Sequence, residues 1–321
     1  MTGSPRVDLV FGIPIYRPGR HLHEALESLL AQSLDGVAFV VADDGSDEDA
    51  LALIESCSGG DPRLTYQPNE RRLGLVGNWR RTFELARSLH PGARYFAWGS
   101  DHDAWHPRWA ERLVAELEAA PEAVLAYPRN CLIDEDGRVL REPWSFDTAG
   151  IVDVRKRLVA ACRGMLAGEM VYGLYRADAL EQAGVLRDVL LPDRLLLTEL
   201  SLQGEFRQVP EILWYRRRTA RPTRRRQRAT LFEHGPPAYA RLPWWVVHAV
   251  ALGWLLGVKN APQLARSARL RIVATHARVI TIHAIRRRMV RIREAIVEAV
   301  LRGIVRLLGP IRGRIVRIPQ R

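Results

Sequence analysis

The sequence predicts a mostly parallel α/β sheet with helices on both faces, followed by a basic, α-helical C-terminal region. Three observations carry that expectation. Strand-like and helix-like segments alternate through the first 130 or so residues. Acidic, glycine-containing clusters stand at the ends of two of the strand-like runs. Beyond residue 213 the charge reverses, and after the arginine-rich break at 216–228 the pattern is helical only. The alternation matters because a parallel neighbour needs a crossover, usually a helix, and crossovers on both sides cover both faces of the sheet.

Residues 7–15 are β-rich and bounded by Pro14, Pro18 and Gly19, so they read as the first strand. Residues 21–32 place Leu22, Ala25, Leu26, Leu29 and Leu30 on one helical face. Residues 37–42 form a continuous apolar run of the kind buried on both faces. It ends in Asp43-Asp44-Gly45-Ser46, and residues 47–56 read as the next helix, capped by Ser46 or Asp47. A short strand over 64–67, a helix over 75–89 and a strand over 94–98 follow. The last ends in Gly99-Ser100-Asp101-His102-Asp103. Residues 107–119 are helical, with Pro107 at the start where its missing N–H costs nothing, and residues 123–127 are a strand.

The chain has 321 residues, 47% hydrophobic and 26% charged. That balance excludes a disordered tail, a collagen-like fibre and a small disulfide-stapled domain. At about 150 residues per domain, the length implies two units or one large domain with an appendage. The three cysteines, Cys57, Cys131 and Cys162, are odd in number and far apart. They offer no disulfide framework or metal spacing and fit a reducing cytosol. No leader is expected ahead of the first strand. Residues 1–213 carry 23 basic and 33 acidic side chains, whereas residues 214–321 carry 25 and 3. An acidic body with a basic tail presents two surfaces to two kinds of partner.

Three acidic features could carry chemistry. After the second strand, Asp43 and Asp44 could accept hydrogen bonds from a ribose or a base; Asp, Gly and Ser also serve an ordinary turn and helix cap. After the fourth, Asp101 and Asp103 could face one hard divalent cation, Mg²⁺ or Mn²⁺, with diphosphate oxygens filling the remaining positions; a solvated turn has the same composition. Asp193 falls in the first turn of a helix that starts near Pro192 and turns Leu196, Leu197 and Leu200 to the core.

Taken together and in order, these segments resemble the family 2 glycosyltransferases of the GT-A fold. Phe11-Gly12-Ile13-Pro14-Ile15-Tyr16-Arg17 is similar to that family's first strand and P-x-Y turn, and residues 41–47 to its nucleotide-contacting D-D-G-S. Gly74-Leu75-Val76-Gly77-Asn78-Trp79 resembles the segment after the third strand. Trp98 through Pro107 resembles the D-x-D strand end, and Gly173-Leu174-Tyr175-Arg176 the segment before the acceptor site. Asp193 precedes Gly204 by eleven residues, the family's spacing from its catalytic Asp to a Gly, and residues 211–217 resemble its closing strand. The resemblance covers about residues 7–218. It implies a GT-A domain over 1–218; charge and periodicity leave 219–321 as a basic helical region that could associate with membranes.

The resemblance also implies a reaction: metal-dependent, inverting transfer of a sugar from a nucleotide diphosphate sugar to an acceptor hydroxyl, in cell-wall, capsule or lipid-linked glycan synthesis. It makes Asp193 the catalytic base. Pro14, Tyr16, Asp43, Asp44 and Asp101 would contact the nucleotide, and Asp101 and Asp103 the Mg²⁺ or Mn²⁺. Pro192 replaces the usual Glu before the base, and Thr219 stands where relatives often carry His. The Q-x-x-R-W signature of processive synthases is absent, which implies transfer of a single sugar.

Two alternatives belong to other classes. One is a catalytically inactive nucleotide-sugar-binding protein of the same fold, which would show no Mn²⁺-dependent donor hydrolysis. The other is a nucleic-acid binder, disfavoured because the basic tail carries no recognised reading motif and its charges share helices with apolar stripes. Ile285, Met289, Ile292, Ile296, Val300, Ile304 and Leu308 recur every three or four residues, with Arg286, Arg287, Arg291, Arg293, Arg302 and Arg306 largely off that stripe. Such a helix suits an anionic membrane surface, here the inner face of the cell membrane near a glycan or lipid-linked acceptor. Packing on the catalytic domain, or oligomerisation through these helices, is the other use of the stripe. Residues 242–258 hold no formal charge but are short for a span, and read as a half-buried or interfacial helix.

Overall fold

The computed structural model describes residues 7–46, 50–141, 144–165, 167–218, 231–232, 235–258 and 265–308. The elements in order are β1 (Leu9–Ile15), α1 (Leu22–Leu30), β2 (Val37–Asp43), α2 (Ala50–Ser58), β3 (Leu64–Pro68), α3 (Gly74–Leu89), β4 (Tyr95–Trp98), β5 (Ala104–Trp105) and α4 (Trp109–Ala119). Then come β6 (Ala123–Ile133), β7 (Val139–Arg141), α5 (Val154–Gly164), α6 (Ala167–Met170), β8 (Leu174–Arg176), α7 (Ala177–Ala183), α8 (Pro192–Gln203) and β9 (Glu205–Arg217). A 3₁₀ turn over Ala238–Arg241 precedes α9 (Trp244–Val258) and α10 (Arg266–Leu308). Asp47 and Thr219 lie outside the described residues.

The strands form one sheet in the order β3-β2-β1-β4-β8-β6-β9-β5, with β7 on β6. β1, β2, β3 and β4 run parallel, as do β6 and β9, while β8 lies antiparallel between β4 and β6. The expected alternation is therefore present, with the antiparallel β8 joining two parallel sets. Each residue of β2 is buried, which explains its uninterrupted apolar run. Leu22, Ala25, Leu26 and Leu29 of α1 sink into one apolar cluster with Phe11, Phe39 and Trp109. The opposite face of the sheet carries a second cluster, built on Phe83, Phe96, Trp98, Tyr175 and Leu197.

Two glycines are required by close approach. A Cβ on Gly12 would meet Thr82 Cγ2 at 2.6 Å and the Phe96 ring at 2.7 Å, so α3 could not lie as close on β1. A Cβ on Gly204 would meet the Glu122 carbonyl oxygen at 2.5 Å. Gly204 therefore ends α8 against the start of β6. That contact gives the eleven-residue spacing from Asp193 a physical meaning, since it is the length of the helix between the cleft and the sheet.

The second apolar cluster does not stop at β9. Leu252 and Leu256 of α9, and Ile272, Val279 and Ile280 of α10, are buried members of it. The C-terminal helices thus share the core of the sheet-bearing unit. Further along α10, Ile285, Met289, Ile292, Ile296 and Val300 are exposed. The side chains of Arg287, Arg291, Arg302, Ile304, Arg306 and Leu308 lie outside the described residues. Among those residues, no helix is long and apolar enough to cross a membrane.

Candidate active site

The first acidic pair serves the loops around it. Asp43, at the end of β2, accepts the Ser46 amide at 3.0 Å and the Ser46 hydroxyl at 2.6 Å on Oδ1, and the Tyr66 hydroxyl at 2.6 Å on Oδ2. Asp44 accepts the Leu73 amide at 2.6 Å and Asn69 Nδ2 at 3.2 Å on Oδ1, and the Gly74 amide at 2.9 Å on Oδ2. Its charge therefore sits against the free N–H groups that open α3. Burial raises the Asp44 pKa, opposed by those hydrogen bonds and by Arg72. A carboxylate offers about four lone-pair sites, so each of these two keeps about one. Asn78 ties the layer together, donating to the Ile15 and Ala42 carbonyls at 3.2 and 3.0 Å. Pro14 and Tyr16 are half-buried at the same edge, and Arg72 lies over the Tyr16 ring at 4.1 Å.

The second pair is split by its own histidine. His102 Nδ1 lies 2.6 Å from Asp101 Oδ1, and Nε2 lies 3.9 Å from Asp103 Oδ1. Burial opposes protonation of His102, but the Asp101 hydrogen bond and both carboxylate charges outweigh it, and its pKa is raised. Asp101 is half-buried. Asp103 is deeper, and Oδ1 accepts the Arg217 amide at 2.7 Å. Burial pushes the Asp103 pKa up against the pull of His102 and that amide. Among the described residues, no three His, Cys, Asp or Glu side chains gather into a group that could hold a metal. One or two carboxylates with the remainder left to phosphate is the donor set a hard divalent cation takes in nucleotide sites, and Asp101 and Asp103 fit it.

Asp193 occupies the first turn of α8. Pro192 is tolerated there because a first-turn N–H has no helical partner. Burial raises the Asp193 pKa, opposed by the Arg194 charge, by hydrogen bonds from the Arg194 and Asp193 backbone and, least, by Arg216. Asp193 faces a cleft of about 310 Å³ lined also by Leu75 and Trp79 of α3, Tyr172, and Arg216 of β9. Glu199, a second acid on α8, pairs bidentately with Arg187 at 2.7 and 3.0 Å and belongs to the scaffold.

Tyr172 links the acidic features. It packs against Trp79 and Trp214, with ring centroids at 5.5 and 5.1 Å. Burial and the charges of Asp103, Asp101 and Asp193 all raise the pKa of its phenol, while Arg216 lowers it. Tyr172 and Arg216 line the cleft with Asp193, and Asp103 lies against the next residue of β9, bonded to the Arg217 amide. Sequence reading passed over Tyr172 and Arg216. The signal for Arg216 was the two-residue period of a strand, which sends neighbouring side chains to opposite faces. Arg216 lines the cleft, 3.5 Å from Glu169. Arg217 is buried and structural, donating to the His102, Asp134 and Glu135 carbonyls and to Glu24.

Comparison with known proteins agrees with this geometry. Residues 11–168, just under half of the chain, match the model of glycosyl transferase family 2. An uncharacterized glycosyltransferase of Rickettsia felis is 26% identical over 165 residues, covering 51% of this chain and 26% of the relative. An uncharacterized glycosyltransferase of Haemophilus influenzae is 25% identical over 118 residues, covering 37% of this chain and 34% of the relative. The chain therefore spans about a quarter to a third of the length of these relatives. Among solved structures, S. aureus TarS superposes with a TM-score of 0.57 at 14% identity, over 84% of this chain and 43% of that one. TarS 1-349 in complex with UDP gives 0.51 at 14% identity, over 78% and 72%. At that identity the likeness establishes the fold. Residues 11–168 of this chain are thus similar in sequence to glycosyl transferase family 2, and the fold is that of the GT-A glycosyltransferases.

Proposed function

We propose that the protein transfers a single sugar, with inversion, from a nucleoside diphosphate sugar to an acceptor hydroxyl. The placement of Asp193 in a cleft with Trp79, Tyr172 and Arg216, next to the Arg217 amide that holds Asp103, supports this reading best. Asp193 takes the proton of the acceptor hydroxyl. The acceptor oxygen forms the new bond to the anomeric carbon as the bond to the diphosphate breaks, and the electron pair leaves with the nucleoside diphosphate. Asp193's raised pKa makes it a stronger base than an ordinary carboxylate. Asp101 and Asp103 would hold Mg²⁺ or Mn²⁺, which when bound supplies positive charge to the departing diphosphate. Pro14, Tyr16 and the remaining lone pairs of Asp43 and Asp44 form the floor for the base and ribose, and Asp101 contacts the nucleotide at its edge. TarS has been solved with UDP, so uridine nucleotides are the first donors to test. Screening nucleotide sugars for Mn²⁺-dependent turnover, in wild type and Asp193→Asn, tests the assignment. Wild-type transfer by the variant removes Asp193 from the role of base, and no Mn²⁺-dependent turnover of any donor favours the inactive binding protein.

The exposed stripe on α10 supports peripheral attachment to the cytoplasmic face of an anionic membrane, close to a glycan or lipid-linked acceptor. Ile285, Met289, Ile292, Ile296 and Val300 are exposed beside Arg286 and Arg293, in a region with 25 basic and 3 acidic side chains. Because α9 and the start of α10 share the core, the test is substitution on the exposed stripe. Cosedimentation with phosphatidylserine vesicles at low salt should be lost in Met289→Glu/Ile292→Glu/Ile296→Glu. If wild type ignores such vesicles but sediments as an oligomer that the variant breaks, the stripe joins copies of the chain.

A further inference from the structure

The segment entering α8 is strained and held from outside the catalytic sheet. Val185 and Leu191 have φ of 58° and 57° without being glycine. A bulky residue in the left-handed region is strained and persists only where its surroundings over-determine it. Leu191 is the residue on which α8 begins, two positions before Asp193. Three contacts fix the approach to it. Arg80 of α3 donates to both Asp188 carboxylate oxygens at 3.0 Å. The Tyr239 hydroxyl donates to the Asp188 carbonyl at 2.6 Å, and His248 Nε2 lies 2.7 Å from the Leu190 carbonyl oxygen. The last two come from the C-terminal region.

The chemistry of His248 makes its contact one-way. A carbonyl oxygen only accepts, so Nε2 carries the proton. Burial and the Arg194 charge bring the His248 pKa down to about 4 against the pull of the Leu190 hydrogen bond, so the ring is neutral near pH 7. The ring is 1% exposed and meets Trp244 edge-on, with centroids 5.1 Å apart. No slack is available for it to follow a moving loop.

We propose that Tyr239 and His248 are positioning residues: by holding the Asp188 and Leu190 carbonyls they set the strained Leu191 turn and thereby aim the Asp193 carboxylate into the cleft. The C-terminal region then completes the active site as well as covering the core. This rests on the assignment of Asp193 as the base.

The experiment uses the full chain and needs no ligand for its first arm. Carbon-13 carboxyl NMR titration of wild type, Tyr239→Phe, His248→Leu and His248→Gln follows Asp193 and Asp103 together. Asp193 should titrate above the ordinary carboxylate range in wild type and fall back towards it in Tyr239→Phe and His248→Leu. Asp103 should stay where it is, and His248→Gln, which keeps an N–H donor, should restore Asp193. A second arm measures turnover with the donor found by the screen above. His248→Leu should lower kcat about 100-fold with the donor KM unchanged, the scale of a misplaced reacting group. Tyr239→Phe, which loses one hydrogen bond, should lower it about 5-fold. Tyr239 is partly exposed, so Tyr239→Phe decides the matter if His248→Leu does not fold. An unmoved Asp193 titration in folded Tyr239→Phe and His248→Leu overturns the positioning role. Full turnover by Asp193→Asn, with the titration still shifted in the clamp variants, overturns the base assignment alone.

Discussion

The acids at the end of β2 and Asp193 in the cleft have the same functional group and different surroundings. Asp43 and Asp44 each accept three hydrogen bonds from their own loops and are almost wholly covered. Asp193 lines a cleft, its charge met by the neighbouring Arg194 and by backbone amides of its own helical turn. Asp103 is intermediate, one oxygen accepting a backbone amide and facing His102. Identical side chains thus differ in how many of their lone pairs the surrounding loops occupy, and Asp43 and Asp44 keep about one each.

The sharpest way to break that contrast is Asp193→Asn. Loss of a general base lowers kcat by about 10²–10⁴-fold, while nucleotide affinity stays unchanged. Steady-state kinetics with calorimetric titration of UDP and Mn²⁺ checks both. Stability should move the other way. Asp193's folded pKa lies above its unfolded value, so the folded state binds the extra proton and stability falls as pH rises through that window. At pH 7 the charged form is disfavoured by folding, and Asp193→Asn should unfold at equal or higher urea concentration than wild type.

Asp44→Ala should do the reverse. It strands the Leu73 and Gly74 amides and Asn69 in a buried place, costing about 3 kcal/mol of stability by the usual cost of unpaired buried groups, read from urea denaturation. A variant as stable as wild type would mean that the loop finds other acceptors and that Asp44 is free for ligand. Acidity offers a gentler test. The acid limb of kcat/KM should lie above the ordinary carboxylate range, following the direction of the Asp193 shift, and should vanish in Asp193→Asn. The smallest effect belongs to the surface. Arg286→Gln or Arg293→Gln should each weaken binding to phosphatidylserine vesicles by about 1 kcal/mol, an effect lost at high salt and without change in kcat.

Much of the architecture was legible because short periods carry it. The apolar run of β2 and the face of α1 announce strand and helix with no tertiary information, and the strand ends follow from them. Asp193 was legible through its helix, with Pro192 at the start and Gly204 at the end. The antiparallel β8 and the short β5 and β7 were not, because three or fewer residues hold too little pattern to be distinguished from loop. Tyr172 and Arg216 were missed for a different reason. Nothing local marks one tyrosine or one arginine among many; their role depends on what other segments place beside them.

The sequence by itself determined the alternation that builds the sheet, the acidic residues at its carboxyl edge and the division into an acidic body and a basic tail. These depend on spacing, residue type and charge, which survive any arrangement of the parts. Only the tertiary structure decided which carboxylates are consumed by their own loops, which of two adjacent arginines enters the cleft, and where the C-terminal helices change from core to surface. Burial and hydrogen-bond partners are properties of pairs of distant residues. Tyr239 and His248 meet the Asp188 and Leu190 carbonyls across some fifty intervening residues, and no local pattern records such a contact.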